Sequence, residues 1–167
     1  GVIKNWGVLA HNYNLIDSIN ENWEINPDYI MLKLNLGNYI NQINNLKRLN
    51  KSGIKIIAGT VLSQGALTQS NKDKLIFKNE LFYFLRRFFK KESFLDYKNN
   101  RKIFNTLNAK SSVLSSFAAI AFIKRLVEVE AISFSSLREK GIREVIDMLS
   151  MNLTDSQINY IYSVLLD

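Results

Sequence analysis

At 167 residues and 47% hydrophobic, the chain is long enough for one folded, soluble domain with a real core. It has no cysteine, which excludes disulfides and thiolate metal sites and fits a reducing, cytoplasmic setting; no signal peptide is visible, and no apolar run approaches the roughly 18 residues of a membrane span. The net charge of +7 is concentrated: Lys72 to Lys102 holds ten Lys/Arg against four Asp/Glu.

Ile3–Val8 has the pattern of a short strand, and Asn14–Trp23 that of a helix with Leu15, Ile16, Ile19 and Trp23 at helical spacing. Asn26-Pro-Asp28 is turn chemistry leading to a strand at Tyr29–Leu34. Tyr39, Ile40, Ile43, Leu46 and Leu49 mark a helix that Lys51-Ser-Gly53 ends as a glycine C-cap does. A strand at Ile54–Ala58 follows. A basic, helical insertion is expected at about 70–108, with Leu81, Phe84, Leu85 and Phe88 as one stripe. Ser111–Leu126 is a buried type of helix, Glu130–Phe134 a last strand and Arg138–Leu149 a helix. Thr154-x-x-Gln157 is a capping box opening a terminal helix, with Ile158, Ile161, Tyr162 and Leu165 on one face. Strand and helix thus alternate four times, which argues for α/β architecture with parallel (β/α) units in one domain over 1–167.

The segment Gly59-Thr-Val-Leu-Ser-Gln-Gly-Ala-Leu-Thr68 closes the third strand with small residues and hydroxyls. Such a loop lets backbone N–H groups approach an anion where a strand feeds an α/β loop. It is similar to the strand-seven loop of aldo/keto reductases, Tyr-Ser-Pro-Leu-x-x-Gly-x-Leu-Thr, which folds over the cofactor's pyrophosphate. Leu62, Gly65, Leu67 and Thr68 match it and Thr60 nearly so. Further phrases resemble the family in order. Gly1–Val8 is similar to its fifth strand, and Pro27–Asn35 to the sixth. Ser116–Arg125 resembles the seventh helix, and Ile132–Ser136 with Gly141–Glu144 the eighth strand and its short helix. The resemblance implies the C-terminal half of a TIM (β/α)8 barrel, strands five to eight.

What it implies for chemistry is mixed. The family's reacting Asp, Tyr, Lys and His lie on the early strands, so no catalytic residue is assigned here, and His11, the one histidine, follows the first strand. The family's nicotinamide contacts fall at Leu9, Ala10, Met31 and Gly59, none of which carries the side chain needed. The phosphate end of NADP is better provided for. Thr60, Leu62, Gln64, Gly65 and Leu67, then Ser135, Ser136, Arg138 and Glu144 after the fourth strand, are the expected cofactor-binding residues. N-capping by Ser135 or Ser136 with a solvated Arg138 accounts for the second group equally well.

Three functions follow as expectations. One is an oxidoreductase of NADP-dependent lineage whose catalytic half lies elsewhere. The second is a non-catalytic half-barrel that binds a nucleotide or a partner. The third, binding of nucleic acid or an anionic surface through the basic insertion, is weakest, because consecutive Phe residues at helical spacing more simply pack a core. The expected partner is the missing N-terminal half or a second copy of the chain.

Overall fold

A computed structural model describes residues 2–10, 18, 26–63, 66–67, 91–110, 115–134 and 139–167. The expected helix at 14–23, Ser18 apart, and the Leu81–Phe88 stripe lie outside the described residues.

Four strands, β1 (Gly7–Ala10), β2 (Tyr29–Lys33), β3 (Lys55–Gly59) and β4 (Val129–Ile132), form one sheet in the order β1-β2-β3-β4 with every pairing parallel. Helix α1 (Leu36–Lys51) crosses from β2 to β3. Helices α2 (Lys91–Lys110) and α3 (Ser115–Lys124) lie between β3 and β4, and α4 (Glu139–Ser150) and α5 (Asp155–Leu166) follow. The α/β class holds, and strand and helix alternate as expected from β2 onward. β1 begins later than its sequence pattern indicates, because pairing starts at Trp6. The Trp6 carbonyl accepts from the N–H groups of Asp28 and Tyr29 at 3.0 and 3.2 Å, and the Trp6 N–H donates to the Asp28 carboxylate at 2.8 Å. The Thr154–Gln157 capping box forms as expected: the Gln157 N–H donates to Thr154 Oγ1 and the Thr154 N–H to Gln157 Oε1.

The period of two along each strand divides the sheet into unequal faces. Ile30, Leu32, Ile56 and Ala58 are at most 1% exposed and join Leu36, Leu46 and Leu49 of α1, residues 118–123 of α3, Phe104 and Leu107 of α2 and Ile158 and Ile161 of α5 in one core. The opposite face carries the register row Leu9, Met31, Ile57 and Ala131. Leu9 is 52% exposed, Ala131 exposed and the other two half-buried. The apolar pattern by itself leads to the expectation that residues among Leu32, Leu34, Ile56, Ala58 and Ile132 fill the interior layers of a complete barrel, and the structure corrects this. They lie in the helix-covered core, and the alternate set faces where a barrel interior would be.

Candidate functional site

In parallel α/β sheets, ligands meet the chain beyond the C-terminal strand ends. Here those ends are Lys33 of β2, Gly59 of β3 and Ile132 of β4. The loops that follow β3 and β4 leave neighbouring strands on the same side, since the two pair in parallel and the Ser133 N–H donates to the Ala58 carbonyl at 2.8 Å. The backbone bends sharply just after β3: Thr60 and Ser63 have φ of 57° and 47°. A left-handed non-glycine residue costs about 1–3 kcal/mol and persists only where its surroundings hold it. The holding contacts are tight turns, Ser63 N–H to the Thr60 carbonyl at 2.8 Å and Ala66 N–H to the Ser63 carbonyl at 3.0 Å.

A polar network lies beside this bend. Lys33 pairs with Asp96 at 3.0 Å, and Ser63 Oγ donates to the same carboxylate oxygen at 3.0 Å. One turn further along α2, the Asn100 amide donates to Asn35 Oδ1 at 3.0 Å and its oxygen accepts from the Gly37 N–H at 3.0 Å. Arg101 donates to the Ala66 carbonyl at 3.4 Å and stacks 4.2 Å from the Phe104 ring. α2 is therefore tied to the end of β2, the start of α1 and the loop after β3. Asn35 is fully buried, and its Nδ2 has no hydrogen-bond partner among the described residues. None of this network was singled out in the sequence, because it joins residues more than 30 positions apart that form no motif.

The expected cofactor residues separate on inspection. Thr60 is exposed and Leu62 half-buried, whereas Leu67 is fully buried in the core and anchors the loop from below. Glu144 is exposed on α4 and sits 3.8 Å from Lys140. Gln64, Gly65, Ser135, Ser136 and Arg138 lie outside the described residues, as does the basic segment before Lys91.

At two of the positions that the resemblance would set against a nicotinamide, Leu9 and Ala10 end β1 and their side chains offer only carbon. Met31 and Gly59 are on adjacent strands, and a Cβ on Gly59 would lie 2.9 Å from Met31 Cε and 3.3 Å from the Leu32 carbonyl oxygen. The thioether thus occupies the space a side chain on Gly59 would enter. No amide stands at 31 and no ring at 59, so this part of the chain does not fit a nicotinamide. Thr60, at the bend beyond β3, is by contrast an exposed residue. Among the described residues no helix is long and apolar enough to cross a membrane, and no three His, Asp or Glu side chains gather as a metal site.

The aldo/keto reductase family model matches residues 1–166, essentially the whole chain. No curated protein matches it closely enough to count as a relative. The four-stranded parallel sheet and its helices are the α/β arrangement of part of that family's barrel.

Proposed function

Since the chain belongs to the aldo/keto reductase family, we propose that it is the cofactor-phosphate portion of an NADP-type barrel and performs no hydride chemistry by itself. The observation that carries this is the contrast at the end of β3. The left-handed bend at Thr60 and Ser63 supports an anion-facing loop, while Met31 fills the space over Gly59. Thr60, Gln64 and Gly65 would hold the pyrophosphate through backbone N–H groups, and Ser135, Ser136 and Arg138 the 2′-phosphate, by charge-assisted hydrogen bonds. When bound, the cofactor would supply a hydride. Nothing in this chain matches the family's proton donor, so that step belongs to residues outside it.

Fluorescence titration of the chain tests this reading. NADP and 2′,5′-ADP bind with similar affinity, nicotinamide mononucleotide binds far more weakly, and Arg138→Ala costs roughly 1.5–3 kcal/mol, the range for a hydrogen bond to a charged group. Preference for the mononucleotide, or reduction of small aldehydes by the chain with NADPH, overturns it.

The open sheet face supports a second element of the proposal, a complementary four-stranded half as partner. The Leu9–Met31–Ile57–Ala131 row faces outward, β1 and β4 are edges of the described sheet, and Ile142 and Ile146 of α4 are 40% and 56% exposed. A half carrying parallel strands of the same twist would cover all three at once. A second copy related by a two-fold along the strand direction also pairs β4 with β1 in parallel. Sedimentation of the chain alone and with the N-terminal half of a family barrel separates the two. A stable monomer that ignores the added half removes the partner from the proposal.

A further inference from the structure

A second concave site lies on the helical side of the sheet, between α1, α3 and α5. It is a cleft of about 560 Å³, within the range of small-molecule pockets. Residues 125–128, which lead into the N-terminal end of β4, form one wall, so the cleft is at the opposite end of the strands from Thr60. Its inner lining is aromatic. Phe122 meets Tyr39 and Tyr162 edge-on, with ring centroids 5.1 Å apart in each case, and the two tyrosine hydroxyls are 3.4 Å from each other. Ile43 and Leu126 extend the apolar lining.

Two cations complete it. Lys47 is exposed and makes no ion pair with the described residues. Among the described residues the ion pair of Arg125 is a long contact, 3.7 Å, with Asp155, whose side chain is 92% exposed, and such a pair is worth little in water. Glu128 also lines the cleft, yet it comes within 4 Å of neither cation.

We propose that this cleft binds a small amphipathic monoanion, with its carboxylate between Lys47 and Arg125 and its aliphatic or aromatic body against Phe122 and Ile43. The apolar lining gives burial, and the two cations give charge-assisted hydrogen bonds that a neutral molecule of the same shape lacks. Glu128 selects against a second negative charge, which distinguishes this ligand from a nucleotide. The site is independent of the phosphate loop and of whatever covers the open sheet face.

Calorimetric titration of the intact chain with decanoate tests the proposal, with decanol and a ten-carbon dicarboxylate as comparisons. Decanoate binds best of the three. Its affinity falls roughly tenfold or more in the Lys47→Glu/Arg125→Glu variant, as loss of charge-assisted contacts requires. Both substitutions are at exposed positions and leave the core intact, and unchanged circular dichroism confirms this. Leu9→Asp on the open sheet face leaves the affinity as it was. Absence of decanoate binding at millimolar concentration, equal binding of decanol, or a loss caused by Leu9→Asp in place of the double variant overturns the assignment.

Discussion

The backbone N–H of Gly37 donates to the side-chain oxygen of Asn100 at 3.0 Å, across 63 residues of chain, and the approach leaves no room for a side chain at 37. A Cβ there would lie 2.5 Å from the Asn100 amide nitrogen. Through this contact the start of α1 accepts α2 as its neighbour, and α2 in turn holds the loop after β3 through Ser63–Asp96 and Arg101–Ala66.

Gly37→Ala should therefore destabilise the chain, although alanine is the better helix former by about 1 kcal/mol. Overpacking at such a contact costs typically 1–3 kcal/mol. Asn100→Ala should cost a similar amount, since it strands Asn35 Oδ1 and the Gly37 N–H in a buried place. Urea unfolding of both variants checks the sign: a gain in midpoint for Gly37→Ala would mean that α2 does not pack this closely.

Asp96 joins Lys33 and Ser63, so its removal should matter more than that of Lys33. Asp96→Ala leaves the buried Ser63 hydroxyl and the Lys33 ammonium without this acceptor, at a cost of about 1–3 kcal/mol. Lys33→Met keeps the serine contact and should cost less. Thermal unfolding of the pair in parallel gives the order, and a larger effect at Lys33 would assign the network's stability to the lysine's ammonium group.

Alkaline titration should show Tyr39. Burial, then the Tyr162 hydroxyl, then the negative charge of Glu128 raise its ionisation well above the ordinary value near 10. Below that pH both folded and unfolded chains hold the proton and its contribution is complete. Above it the unfolded chain ionises first, and stability falls as pH rises towards the folded value. Tyr39→Phe should flatten the stability–pH curve above about pH 10 relative to the parent. An unchanged slope would place the tyrosine in contact with water.

Met31 and Gly59 should behave as a coupled pair. Gly59→Ala alone forces Met31 Cε aside, whereas in a Met31→Ala background the same substitution meets only the Leu32 carbonyl. A double-mutant cycle should give a favourable coupling of about 0.5–3 kcal/mol. Additive effects would show that Met31 does not fill the space over Gly59.

Much of the fold was legible in the sequence because it follows from local periodicity. The parallel order, the capping box at Thr154 and the helix ending before Gly53 each depend on residues close in the chain. Family membership was legible too, from phrases kept in order along the chain. The site was legible only in part. Thr60 stands exposed at the end of β3 whereas Leu67 is fully buried, a difference the loop's phrase leaves open because a matching letter does not say which way a side chain points. The face assignment in β2 and β3 failed for a related reason. Both faces of these strands carry apolar residues, so alternation alone could not say which set lies under the helices.

By itself, the sequence determined the element types, their parallel connection and the absence of disulfides, since these depend on composition and on spacings of a few residues. Only the tertiary structure decided that Ile30, Leu32, Ile56 and Ala58 lie under helices, that Met31 covers Gly59, and that Asp96 and Asn100 tie α2 to β2, α1 and the loop after β3. Those contacts join residues tens of positions apart, and they arise when packing selects among side-chain arrangements that local spacing leaves equivalent.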